Sequence, residues 1–336
     1  MAKRRISDQQ KRRIESIQQK RRETAKKNSE NKEQQLNEQT LGDEQSGHII
    51  TNFGQSLIVE NQQGEVFRCV ARQNLGAIVC GDQVIWQQAQ NNEGVIVAVE
   101  PRQSLLQKPG FGGKLKPMAA NIDQIVIVSA VQPEANAYLI DRYLVAAENL
   151  PATPIILFNK IDLLDEKSRP LIDKLEKEYT NLGYKVIRAS NVIGNGFDQL
   201  HEALKTRTSI FVGLSGVGKS SLINQLLPEL NIRVGELSLA SGEGKHTTTN
   251  STLYNLPCGG KLIDSPGVRD FGLWNTDAAD ILHGFIELRP FIGRCKFSNC
   301  AHETEPDCAI QQALVENKIS PLRFQHYKKM LAEYSE

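Results

Sequence analysis

Two short runs carry the most evident chemistry in this chain. The first is Asn159, Lys160, Ile161 and Asp162, an Asn-Lys-x-Asp tetrad. Asp162 can accept together from guanine N1–H and the 2-amino group. Adenine offers no such donor pair, and a site built on paired hydrogen bonds discriminates by roughly 10⁴-fold. Asn159 suits guanine O6 or N7, and Lys160 suits the face of the base. The second run begins about fifty residues later. Gly213, Leu214, Ser215, Gly216, Val217, Gly218, Lys219, Ser220 and Ser221 fit G-x-x-x-x-G-K-[ST]. Backbone N–H groups of such a loop close around phosphates, and the following helix adds a partial positive charge. Lys219 then reaches the β- and γ-phosphates, Ser220 holds Mg²⁺ and Ser221 bonds the α-phosphate.

A third run, "LIDSPG", supplies Asp264-x-x-Gly267 after a short apolar stretch. Asp264 can hold Mg²⁺ through water, and the Gly267 amide can bond the γ-phosphate. Between the second and third runs lies "SGEGKHTTTNST", where Thr247 or Thr248 is expected to close over Mg²⁺ and the γ-phosphate. The residue after Gly267 is Val268, which cannot orient a water as Gln does in many GTPases. His246 is the nearest candidate for that task. "RAS" (188–190) is a weaker match to a companion loop at guanine O6.

The order of these runs is rotated from the usual one, in which the phosphate loop precedes the guanine tetrad. The rotation is physically permissible. In an open α/β sheet the ligand lies across the carboxyl ends of the strands, so the site depends on strand position rather than connectivity. It also places Asp264-x-x-Gly267 next to the C-terminal region, where it could act as a nucleotide-controlled lever.

Cys295, Cys300, His302 and Cys308 form a separate cluster, Cys-x₄-Cys-x-His-x₅-Cys. Three thiolates and an imidazole suit tetrahedral Zn²⁺ with no open position, hence a structural ion. The H-x-E…P-C-x-x-C order of a zinc deaminase is absent. Cys69, Cys80 and Cys258 stand alone and read as small thiols in the core or at the surface.

The elements that must position these residues follow from patterning. Residues 122–274 alternate apolar strands with helical periodicity, which implies a parallel sheet covered on both faces. Residues 47–104 hold five short β-type runs separated by Gly, Asn and Gln turns, which suggests a small barrel with an OB-fold first. Such barrels often bind RNA. Residues 105–121 hold three Gly, two Pro and three Lys and read as a basic loop or linker. Residues 275–336 turn helical around the Cys/His cluster. Residues 1–46 are polar and cannot bury a core, so disorder, or helix formed on a partner, is expected. In residues 1–35 twelve Lys/Arg face five Asp/Glu, although the whole chain of 336 residues has a net charge of only +1. A basic arm on a mildly acidic body suggests an anionic partner, nucleic acid first. No apolar run approaches the roughly 18 residues needed to cross a membrane. With no signal-like start, the chain reads as cytoplasmic.

Together "GLSGVGKSSL", "GEGKHTTT", "LIDSPGVRDFGLW", "KLKPMAANIDQ" and the Cys/His spacing resemble the circularly permuted ribosome-biogenesis GTPases of the RsgA (YjeQ) family. The resemblance runs from about residue 47 to the end. It implies an OB-fold β-barrel, a circularly permuted P-loop GTPase α/β domain with a doubly wound, mostly parallel sheet, and a small helical zinc-binding domain. It also implies a late maturation factor of the small ribosomal subunit, touching rRNA near the decoding region and stimulated in GTP hydrolysis by that subunit; a monomer is expected. The nucleotide residues carry over onto Asn159, Lys160, Asp162 and Gly213 to Ser221. The zinc ligands carry over onto Cys295, Cys300, His302 and Cys308. A nucleotide-gated scaffold and a metabolic P-loop kinase are the rival readings. The guanine tetrad, with no obvious site for a second substrate, disfavours the kinase.

Overall fold

The computed structural model describes residues 41–54, 56–109, 115–229, 251–265 and 276–335. His246, Thr247, Thr248, Gly267 and the basic arm lie outside these residues. The chain divides into two compact units, one reaching Pro101 and the other beginning at Arg102.

The first unit is the expected five-stranded barrel. Its strands are β1 (Glu44–Asn52), β2 (Leu57–Asn61), β3 (Val66–Ala71), β4 (Gln83–Gln88) and β5 (Glu93–Val99). They run in the order β1-β2-β3-β5-β4, and a β1–β4 pairing closes the ring. β3 and β5 are parallel and the other pairs antiparallel. This closed, OB-like ring leaves no edge within it. The first strand starts at Glu44, inside the stretch expected as tail.

Ile49, Val59, Phe67, Val84, Ile96 and Trp86 fill the interior. Trp86 is fully buried, its ring centroid 4.6 Å from that of Phe67. Two glycines make room for the indole. A Cβ on Gly94 would stand 2.7 Å from Trp86 Cε3, and one on Gly47 would stand 2.8 Å from Trp86 Nε1.

In the second unit the segment expected as a linker is instead a hairpin, β6 (Leu105–Pro109) with β7 (Leu115–Ala120). Its Pro and Gly content argued against strands. A two-stranded ribbon tolerates Pro109 and Pro117 because each strand has one side free of ladder bonds.

The main sheet of this unit runs β10-β9-β8-β11-β13-β12. Its strands are β8 (Gln124–Ala130), β9 (Thr153–Asn159), β10 (Lys185–Arg188), β11 (Thr208–Val212), β12 (Thr252–Asn255) and β13 (Lys261–Asp264). All are parallel except β12, which pairs antiparallel with β13. β8 is buried at every position, as a strand covered on both faces must be.

Helices α1 (Ala137–Glu148), α2 (Arg169–Asn181), α3 (Phe197–Leu204) and α4 (Lys219–Leu226) connect these strands. Asn136 caps α1 by accepting from Leu139 N–H, and Gly183, at φ +93°, turns the chain after α2. Past the sheet come α5 (Ala278–Gly284), α6 (Ala309–Val315) and α7 (Pro321–Ser335). An Asp277/Asp280 capping box opens α5.

Gly94→Ala is expected to cost about 1–3 kcal/mol by forcing Trp86 off its seat. Thermal unfolding followed by tryptophan fluorescence tests this; an unchanged midpoint would show that the indole is not wedged there.

Candidate functional site

The sheet order explains how two runs fifty residues apart make one site. β9, which ends in Asn159, lies beside β8; β8 lies beside β11, which runs into the phosphate loop; β13, which ends in Asp264, lies on the other side of β11. All four are parallel, so their carboxyl ends form one rim, where ligands bind in open α/β sheets.

The phosphate loop is shaped by its glycines. Gly213 has φ +135°, and a Cβ there would stand 2.1 Å from the Val128 carbonyl oxygen on β8. Gly218 has φ +96°, caps α4, and would clash with Asn159 Nδ2 at 2.4 Å if it carried a Cβ. Gly216 is also left-handed, at +82°. The start of α4 leaves N–H groups without partners inside the helix, which suits an anion. Lys219 Nζ donates to the carbonyls of Gly213 and Leu214, both at 2.6 Å. Ser215, Ser220 and Ser221 are exposed and Val217 is buried beneath the loop.

The tetrad is bolted to this loop. Asn159 Nδ2 donates to the Val217 carbonyl at 2.9 Å. Lys160 Nζ donates to the Gly216 carbonyl at 2.6 Å and to the Gln132 carbonyl at 2.7 Å. Lys160 itself sits at φ +60°, a conformation that costs a non-glycine residue about 1–3 kcal/mol and is held by these bonds.

The segment 188–190, the weakest of the matches, is brought to the same place. Ser190 Oγ donates to the Asp162 carboxylate, and the Ala189 carbonyl accepts from Ile161 N–H at 3.2 Å. Ser190 Oγ in turn accepts from Val192 N–H at 3.1 Å. Sequence reasoning undervalued Ser190; its only signal was a pair of small residues just past β10.

Asp264 closes β13, and its strand partner is Thr252. Just past each of them, Ser251 Oγ and Ser265 Oγ are 2.7 Å apart. The stretches that follow Ser265 and precede Ser251 hold the remaining expected residues, Gly267, His246, Thr247 and Thr248, outside the described part of the chain.

All four members of the Cys/His cluster converge, their ligand atoms lying within 4.8 Å of one another. The Cys295 and Cys308 sulfurs are 3.8 Å apart, and His302 Nδ1 is 3.5 Å from each. With Zn–S near 2.3 Å and Zn–N near 2.05 Å, a tetrahedron has S–S edges of about 3.8 Å and S–N edges of about 3.6 Å. The Cys295, Cys308 and His302 atoms therefore match three corners of such a tetrahedron, and the Cys300 sulfur lies within 4.8 Å of them. Hydrogen bonds also brace their loop: Glu305 accepts from the N–H groups of Ala301 and Glu303, both at 2.7 Å, and Gln311 Nε2 donates to the His302 carbonyl at 2.6 Å. Backbone N–H groups of Glu305 itself, Ala301 and Glu303 hold the Glu305 carboxyl at about 2. By contrast Cys69 and Cys80 are buried in the barrel, and burial pushes their thiols far above the usual range.

Comparison with known proteins gives one answer. The RsgA GTPase family model matches residues 99–274. Over 336 residues the chain is 48% identical to the small ribosomal subunit biogenesis GTPase RsgA of Pseudomonas aeruginosa, covering 100% of this chain and 99% of that protein. It is 47% identical over 334 residues to the protein of the same name from Hahella chejuensis, covering 98% and 96%. The crystal structure of YjeQ from Thermotoga maritima superposes with a TM-score of 0.71 at 32% identity, covering 87% of this chain and 98% of that one. YloQ, described as a circularly permuted GTPase, gives 0.71 at 28% identity, covering 87% and 95%.

Gly218→Ala is expected to weaken binding of a fluorescent GDP analogue about tenfold to a hundredfold, from ~1–3 kcal/mol of backbone strain added to the Asn159 clash. An unaltered titration would mean that the loop and tetrad are not locked together.

Proposed function

This chain belongs to the RsgA GTPase family, and on that footing we propose that it hydrolyses GTP as a late assembly factor of the small ribosomal subunit. The observation that carries the reading is the direct bonding of the guanine tetrad to the phosphate loop, in a chain aligned end to end with relatives that bear that name.

In this reading Asp162, steadied by Ser190, takes the N1–H and 2-amino edge of guanine, and Asn159 takes O6 or N7. The amides of residues 213–221 take the phosphates. Lys219 turns from the carbonyls of its own loop to the β- and γ-phosphates, where it stabilises charge as it develops. Ser220 and Asp264 would hold Mg²⁺, which when bound neutralises charge between the β- and γ-phosphates. Thr247 or Thr248 and the Gly267 amide close on the γ-phosphate. Val268 cannot orient the attacking water, so His246 or a group on the subunit does so, and turnover without the subunit is slow. Cys295, Cys300, His302 and Cys308 would hold one Zn²⁺, which leaves no open position and is structural.

The barrel and the basic arm are assigned to rRNA. The arm's excess of Lys and Arg gives a salt-dependent attraction to phosphate backbones. Loss of the γ-phosphate releases the Asp264–Gly267 loop, which precedes α5 in the chain by ten residues and so passes the nucleotide state to the C-terminal helices. No described helix is long and apolar enough to cross a membrane. We assign the protein to the cytoplasm, acting as a monomer on GTP, GDP and the subunit.

GTP turnover by the purified protein is expected to be slow alone, to rise at least ~10³-fold, the scale of a positioned catalytic group supplied in trans, with small subunits, and to stay slow with large subunits or free RNA. ATP should not be hydrolysed. Equal rates with and without small subunits would remove the partner and leave a nucleotide-gated scaffold.

A further inference from the structure

A buried ion cluster ties the C-terminal helices to α1 and α2. Asp141, in the second turn of α1, is fully buried and accepts three donors. The Arg323 guanidinium and the Tyr179 hydroxyl, at 2.9 Å, bond one oxygen; His326 Nδ1 lies 2.6 Å from the other. Arg323, equally buried, turns the rest of its fork to Glu287, at 2.5 and 3.0 Å. Its guanidinium lies 5.0 Å from the Phe285 ring centroid and 5.7 Å from that of Tyr179.

The apolar core around this cluster is shared. Val145 of α1 lies in one buried group with Phe285, Leu288, Cys308 and Met330. A Cβ on Gly284 would stand 2.5 Å from Val145. Cys308 is one of the four metal-site residues, so α1 and the metal site are walls of the same core.

The elements that meet at Asp141 begin or end at the guanine-reading loops. Asp141 lies five residues beyond Asn136, the cap of α1, about 8 Å along the helix at 1.5 Å per residue. The Gln132 carbonyl, just before that cap, holds Lys160. Tyr179 is on α2, whose Asp173 and Glu176 both bond Arg188. Arg188 immediately precedes Ala189 and Ser190, which bond Ile161 and Asp162.

We propose that Asp141 and Arg323 are positioning residues for the guanine-reading loops, and that through them metal binding at the Cys/His cluster and nucleotide binding at the tetrad are thermodynamically coupled. The proposal rests on the reading of that cluster as a zinc site. Its physical basis is that neither charge can be left unpaired in the core, so the C-terminal helices cannot loosen without shifting α1 and α2. Coupling of two binding equilibria is reciprocal: nucleotide must tighten metal by the factor by which metal tightens nucleotide.

The test uses the full-length zinc-loaded protein. A chromogenic chelator reads the rate of zinc release, with and without saturating GDP, in the wild type, Asp141→Asn and Tyr179→Phe. GDP is expected to slow release about fivefold or more, the lower end of typical couplings. Asp141→Asn should bring the two rates together and raise KM for GTP with little change in kcat, as loss of uniform binding does. Tyr179→Phe removes one donor without stranding a charge, and an intermediate ratio is expected. It decides the matter if Asp141→Asn does not fold. A wild type that binds both zinc and GDP yet releases zinc at one rate would overturn the coupling, as would a ratio unchanged in the variants. Protein that holds no zinc would overturn the metal reading itself.

Discussion

The structure depends on three hydrogen bonds that span more than fifty residues of chain or cross a loop to reach the same place. Asn159 bonds the Val217 carbonyl, and Lys160 bonds the carbonyls of Gly216 and Gln132. The Asn159 bond is buried, and leaving a buried group of this kind unpaired costs about 1–3 kcal/mol; the two Lys160 bonds are exposed and tie the tetrad to the loop and to Gln132 from outside. Together they set the tetrad against the 213–221 loop. The demand for glycine at 218 follows from them, since any Cβ there would displace Asn159. The rotated order of the motifs has no effect on this contact, because the parallel sheet fixes β9, β8 and β11 as neighbours whatever joins them.

A second constraint governs the far side of the same unit. The core of the C-terminal helices takes in α1: Val145 is part of it, and Asp141 neutralises an arginine that the helices bury. Arg289 on Glu148 at 2.6 Å and Asn149 on the Asp280 carbonyl at 2.9 Å extend the seam. A buried ion pair adds little net stability over a hydrophobic one, but breaking it is costly. Such a seam favours one relative placement of helices and sheet over all others.

Much of this could be read from residue order. The five barrel strands, the parallel sheet, the phosphate loop and the tetrad each carry a local signal: alternation, buried runs, glycine spacing, a strand end. The Cys/His spacing likewise announced its convergence. What failed was of two kinds. The hairpin at 105–120 was hidden because proline and glycine usually punctuate loops, and a two-stranded ribbon escapes that rule. The Asp141–Arg323 pair was hidden, and Ser190 was legible only within the weak 188–190 match, because their meaning is long-range. An aspartate in the middle of an amphipathic helix looks like a solvated residue until another element, 182 positions away, brings its counter-ion.

If Asp162 reads guanine in a site completed by the later phosphate loop, the nucleotide selectivity of Asp162→Asn must change. An amide keeps one acceptor and adds a donor, which mismatches the 2-amino group of guanine but matches the 2-oxo group of xanthine. GTP binding is expected to fall by roughly 10⁴-fold, the scale of a lost paired contact, and XTP to replace it and support turnover. GTP binding left intact by this substitution would mean that the base is read elsewhere.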